Sequence, residues 1–199
     1  MRKIVFALLM MLSVSAYARD PLEPRTIGAP SDTMLYIFTS WDCPHCRDWH
    51  KNIYPEIVRQ FIKTKRAQLI FVDMAYTEKT LLAAQYVRCM DENKAEKMSA
   101  WLYKNQNKWN TENYKKNISH FAHNIGFTGT TEDDCLKNKE LVAAIKNERD
   151  RYVALYKVHG WPTIALRRGN SVRLYSGTDT HAILNQLDRD MREMVAKDK

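Results

Sequence analysis

Phe38-Thr39-Ser40-Trp41-Asp42-Cys43-Pro44-His45-Cys46 sets two cysteines at the junction of a strand and a helix. Upstream, Met34 to Thr39 is a short, mostly apolar run with aromatic and β-branched members, the pattern of a buried strand. Downstream, Trp49, Ile53, Ile57 and Phe61 recur at helical spacing over Asp48 to Lys63, with a kink expected at Pro55. Two cysteines separated by two residues can face each other across one helical turn. They can close a disulfide or, with two further ligands, hold zinc. A zinc site wants a second such pair or two suitably spaced histidines. Cys89 and Cys135 stand apart from each other, and His120 and His123 are one residue short of the i, i+4 pair that suits a helical metal site. Redox chemistry is therefore favoured over structural metal, and no metal or cofactor is expected.

A cysteine that follows a strand and opens a helix sits among unpaired N–H groups at the positive end of the helix dipole. Both favour thiolate over thiol. His45 can add a donor or positive charge, and Pro44 suits an early helical position, where its missing N–H costs nothing. The Cys43 thiol is thus expected below the free-thiol range, with Asp42 opposing the shift. A stabilised thiolate favours the reduced pair, so the Cys43–Cys46 disulfide would be readily given away, with Cys46 as the resolving thiol.

Working outward, Ala67 to Met74 reads as a second strand. Thr77 to Lys157 is helical, broken at Asn105 to Asn113 and at Gly126 to Gly129. Thr163 to Arg167 and Ser171 to Tyr175 form an expected hairpin over Gly169-Asn170, and Thr180 to Val195 a closing amphipathic helix. The order is β-(CxxC)α-β, a helical block, then ββα, with the first two strands parallel through a right-handed crossover. No repeat or low-complexity segment interrupts it. A chain of 199 residues with 45% hydrophobic content fits one domain with an insertion and can build its core without cysteine staples.

At the N-terminus, Arg2 and Lys3 precede the apolar run Ile4 to Val14 and the small-x-small site Ala16-Tyr17-Ala18. This predicts a signal peptide over 1–18, well short of the ~20 residues of a spanning helix. Arg19 to Thr33, with three prolines, reads as an extended lead-in. The formal charge is +8, of which Arg2 and Lys3 supply two. The remaining lysines are interleaved with acids, as in Lys94-Ala95-Glu96-Lys97, so a solvated basic surface is expected and no nucleic-acid partner.

By its motifs the chain resembles the DsbA family of oxidoreductases over nearly all of the mature sequence. Phe38 to Cys46 is similar to the family's aromatic-rich strand end and its CPHC centre. Ala83-Ala84 to Cys89, Trp101-Leu102 and Asn105-Gln106 resemble the start of its helical insertion. Asp133-Asp134-Cys135-Leu136 through Val158-His159-Gly160-Trp161-Pro162-Thr163 resembles the end of that insertion, and Gly177 before the last helix also fits. The resemblance implies an α/β, thioredoxin-like fold with a helical domain inserted between the second and third strands of the core. The thioredoxin-like part would be 34–76 and 158–199, and the inserted domain 77–157.

The implied role is oxidation of cysteine pairs in newly exported, unfolded proteins in the periplasm, by a monomer reoxidised by a DsbB-type membrane quinone reductase. Cys43 would attack and carry the mixed disulfide, Cys46 would resolve it, and His45 would tune the pair. Pro162 alone reads as an ordinary trans proline starting a strand; the resemblance implies the cis form. Trp161, Thr163 and Trp41 would border the substrate groove. Many members carry an acid on the strand before the centre, where Tyr36-Ile37-Phe38 is apolar here, so proton transfer at Cys46 would use water or Asp73. Trp161 stands where Val or Thr is common.

Cys89 and Cys135 read either as two buried thiols or as a pair, and an even cysteine count in an exported chain favours pairing. Some members of the family have a second disulfide in this block, and a Cys89–Cys135 bond would contribute up to ~4 kcal/mol by constraining the unfolded chain. The main alternative is a reductase or isomerase on the same fold. A non-catalytic chaperone or thiolate metal carrier is the other class.

Overall fold

The computed structural model describes residues 20–177 and 179–198, so the expected signal peptide at 1–18 lies outside the described residues. In chain order the elements are β1 (Thr26–Ile27), β2 (Thr33–Thr39), α1 (Pro44–Asn52), α2 (Tyr54–Ile57), a π-helical turn (Val58–Ile62) and β3 (Gln68–Asp73). There follow α3 (Glu78–Cys89), α4 (Glu92–Lys104), α5 (Gln106–Trp109), α6 (Tyr114–Asn124), α7 (Thr130–Lys137) and α8 (Lys139–Tyr156). The chain closes with β4 (Thr163–Arg168), β5 (Ser171–Ser176) and α9 (Thr180–Lys197).

The strands form one sheet in the order β1-β3-β2-β4-β5. β2 and β3 run parallel in the register Met34–Gln68 to Thr39–Asp73, and the other pairs are antiparallel. Both faces of the sheet are covered, which is why its central strands are almost continuously apolar. Leu35, Ile37, Leu69, Phe71, Ile164 and Leu166 pack with side chains of α1, α2 and α9. Tyr36, Phe38, Ile70, Val72 and Ala165 take the opposite face, with Tyr152 and Tyr156 of α8. The carboxyl ends of β2 and β3 meet the start of β4, Phe38 pairing with Thr163, and the cysteine pair lies at this convergence.

Two elements differ from expectation. The lead-in contributes a strand: Thr26 and Ile27 pair antiparallel with Ile70 and Leu69. Two residues are too few for any periodicity to register. Beside them, the buried Arg25 side chain donates to Glu92 and Glu96, each at 2.6 Å, and lies over the Phe71 ring at 4.6 Å. The helix expected as one kinked rod from Asp48 to Lys63 begins earlier, at Pro44, and breaks at Ile53. Pro55 falls in the first turn of α2, where it lacks no needed N–H. The π-helical turn then sets Phe61 and Ile62 into the core.

Helices α3 to α8 lie between β3 and β4 in the chain and enclose their own core, including Ala83, Met98, Leu102, Trp109, Ile118 and Leu141. Side-chain caps stop their ends from fraying: Thr77 on α3, Asp91 on α4 and Asn138 on α8. A disulfide joins Cys89 at the end of α3 to Cys135 on α7, across 46 residues of chain. Next to it in sequence, the buried Arg88 ties three segments together. It donates to Asp73 of β3 at 3.1 Å, to Glu148 of α8 at 2.8 Å and to the Glu23 carbonyl at 3.0 Å. Among the described residues no helix is long and apolar enough to cross a membrane.

Candidate active site

Cys43 is the N-cap of α1, with extended backbone, and Pro44 occupies the first turn. The Cys46 backbone N–H donates to the Cys43 Sγ at 3.1 Å, so the sulfur takes the place of a capping oxygen. Both cysteines are free thiols here; Cys43 is half-buried and Cys46 is buried. The two sulfurs are driven apart in acidity. The Cys43 thiol is drawn down to about 7, chiefly because the Cys46 thiol donates to it, with the N–H groups of Cys46 and His45 and the His45 charge adding to the effect. Cys46 moves the other way: its proton is held by that same hydrogen bond, and burial opposes its charge. Asp42, expected to oppose the Cys43 shift, accepts from the Ser40 hydroxyl at 2.6 Å.

This asymmetry predicts a simple titration. Alkylation of the reduced protein by iodoacetamide should rise with pH through a midpoint near 7, set by Cys43. Because the Cys46 thiol is the largest cause, Cys46→Ala should move that midpoint upward. A midpoint near 9.0, that of an ordinary thiol, in the unaltered protein would disprove this account.

The loop before β4 completes the site. The Trp161–Pro162 peptide bond is cis, and the Cys43 thiol lies 3.9 Å from the Trp161 carbonyl. Thr163 anchors the loop from behind, donating to the Gly160 carbonyl at 2.8 Å and meeting the Ser176 hydroxyl at 3.0 Å. An open cleft of about 370 Å³ is bounded by His45, Trp161, Pro162, Thr163 and Ser176. A larger cavity of about 590 Å³ opens between α1 and α4, but Cys43, His45 and Pro162 are not among its lining residues. The smaller cleft, bordered by His45 and the Trp161–Thr163 loop, is therefore the one that adjoins the cysteine pair.

Cys43, His45, Cys46, Trp161, Pro162 and Thr163 are thus brought together, and Cys89 and Cys135 bond to each other elsewhere. Trp41 does not border the groove. It is 3% exposed and packs against Tyr103 in the helical core, ring centroids 5.0 Å apart. A large aromatic at the end of a central strand faced either the groove or the helices above it, and burial decided for the helices. Below Cys46, the Thr39 hydroxyl favours its thiolate and bonds the buried Tyr103 hydroxyl at 2.7 Å. Asp73, considered for proton transfer, is engaged with Arg88. Gln106, singled out in the sequence only as part of the resemblance to the helical insertion, has a positioning part: its amide donates to the Trp41 and Cys43 carbonyls, both at 2.9 Å, clamping the loop from more than 60 residues away. Among the described residues no group of three or more His, Cys, Asp or Glu side chains is placed to hold a metal ion.

A family model described as thioredoxin matches residues 22–172. The chain belongs to the thioredoxin family. Within it, the chain is 26% identical over 117 residues to a Rickettsia conorii protein named "Putative protein-disulfide oxidoreductase", covering 58% of this chain and 42% of that protein. A Rickettsia prowazekii protein of the same description is 21% identical over 167 residues, covering 83% of this chain and 61% of the relative. The chain therefore spans 42–61% of the length of these curated relatives. In fold it matches Wolbachia pipientis alpha-DsbA1, with a TM-score of 0.77, 16% identity and coverage of 88% of this chain and 94% of that one. Oxidised BdbD from Bacillus subtilis matches with a TM-score of 0.69 and 17% identity, covering 86% and 94%. The α/β, thioredoxin-like fold expected from the sequence is the fold observed, with a helical block between β3 and β4 of the chain.

Proposed function

We propose that this protein is a thiol–disulfide oxidoreductase that donates a Cys43–Cys46 disulfide to cysteine pairs of newly exported proteins. The observation that carries the reading is the asymmetric pair: an accessible, acidified Cys43 beside a cis-proline loop, over a buried, proton-holding Cys46. In the oxidised protein a substrate thiolate would attack the Cys43 sulfur, breaking its bond to Cys46, which leaves and takes up a proton. The second substrate thiolate would then attack the substrate sulfur of the mixed disulfide and release Cys43 as thiolate. Each turnover moves two electrons from substrate to protein, so a second oxidant must restore the pair. A DsbB-type membrane quinone reductase is the class we assign to that step.

Export to the periplasm, with removal of 1–18, agrees with the Cys89–Cys135 bond, since disulfides persist in oxidising compartments. In this reading 34–76 and 158–199 are the thioredoxin-like domain and 77–157 the inserted helical one. The Rickettsia relatives' description supports the same chemistry.

The alternative is a reductase on the same fold: an acidified Cys43 over a protonated Cys46 serves attack on a substrate disulfide equally well. The reduction potential of the pair in glutathione buffer separates the two. We expect a value above about −200 mV; one near thioredoxin's, about −270 mV, would reassign the protein as a reductase.

A further inference from the structure

Two large aromatic side chains stand in solvent beside Cys43. Tyr76 is 54% exposed and Trp161 37%. Their rings nonetheless hold each other, with centroids 5.6 Å apart and planes 19° from parallel. The Arg149 guanidinium lies over the Tyr76 ring, 4.2 Å from its centroid. It is held there by the Ala75 carbonyl at 2.5 Å and by the Asp150 carboxylate at 2.8 Å. Three segments, the turn after β3, the helix α8 and the loop before β4, thus each contribute one flat group to a single stack. The stack starts at the residue whose carbonyl faces the Cys43 thiol.

We propose that Trp161, Tyr76 and Arg149 form a preordered platform that receives an aromatic side chain next to the reactive cysteine of an extended peptide. This rests on the oxidoreductase reading and adds a substrate class to it. Exposed aromatic area is recovered when another apolar group covers it, and flat rings gain further from offset stacking and from the nearby guanidinium. Because the three groups already support one another, little side-chain freedom remains to be lost on docking. An acidic side chain is the weaker fit, because the Arg149 charge is already met by Asp150. Trp161 alone would be a bulky rim; Tyr76 and Arg149 turn it into a surface with a defined plane.

The test uses the oxidised full chain and two dithiol peptides that differ only in Phe or Gly beside one cysteine. Each rate is divided by that for dithiothreitol with the same preparation, which removes differences in the redox centre. The Phe peptide should be favoured by about tenfold. In Tyr76→Ala and, separately, Arg149→Gln, the preference should fall towards one. Equal rates for the two peptides in the unaltered protein, or a preference that survives Tyr76→Ala, would overturn the platform while leaving the oxidoreductase reading standing. Failure to oxidise dithiothreitol and both peptides would overturn that reading and the platform with it.

Discussion

Replacing Cys43 by Ser should reduce dithiol-peptide oxidation by more than about a thousandfold, because the only accessible sulfur of the pair is lost. Cys46→Ala should behave differently. The remaining Cys43 thiolate can still attack a peptide disulfide, but nothing beneath it can release the product. A covalent adduct of one peptide on Cys43 should accumulate, visible by mass and removed by dithiothreitol. The direction of attack follows from the geometry: Cys46 is 0% exposed and its thiol is held protonated, whereas Cys43 is exposed enough to react and acidified. If Cys43→Ala instead captured peptide through Cys46, the assignment of attacking and resolving sulfurs would be reversed. If neither variant formed an adduct, thiol exchange at this site would be excluded.

Local pattern carried much of the fold. The apolar run Leu35 to Phe38 is buried on both faces, so it could be recognised without knowing what covers it. The strand-to-helix turn at Cys43 follows from the residues on either side, and the hairpin from Gly169-Asn170, where β4 and β5 meet with Arg168 opposite Ser171. What stayed hidden depends on partners distant in the chain. Thr26–Ile27 is a strand only because β3 offers an edge. Trp41 is buried in the core of the helical block, where its ring meets Tyr103, 62 residues on. Gln106 reaches the active-site loop, Tyr76 meets Trp161 and Arg149 lies over Tyr76 only once the chain is folded, and no spacing in the sequence encodes those contacts. The cysteine pair was legible because it sits in four consecutive residues; the contacts of Trp161 with Tyr76 and of Tyr76 with Arg149 were not.

Arg88→Met should be among the most destabilising single changes in the molecule. Arg88 is completely buried between Asp73 and Glu148, themselves nearly inaccessible. Burial alone would pull the guanidinium's pKa down, but the two carboxylates more than offset it and raise it. Removing the cation leaves two buried carboxylates facing each other, which should cost about 3–5 kcal/mol and lower Tm by roughly 10 °C. Protons are then the only means of neutralising them, so the loss relative to the unaltered protein should shrink as pH falls towards 5.

Glu148 shows the sign in the unaltered protein. Burial pushes its carboxyl up to about 7 against an ordinary value of 4.5, with Arg88 only partly countering the effect. The folded state therefore holds this proton more tightly than the unfolded chain does. Its contribution to stability is complete below about 4.5 and is lost as pH rises through about 7. Thermal unfolding of both proteins at pH 5 and pH 8 checks the account. A deficit below about 1 kcal/mol, or one larger at pH 5 than at pH 8, would show that Arg88 is not compensating buried charge. The triple replacement of Arg88, Asp73 and Glu148 by apolar residues of similar volume should recover most of the lost stability, since the cost lies in the unpaired carboxylates rather than in the missing bridge.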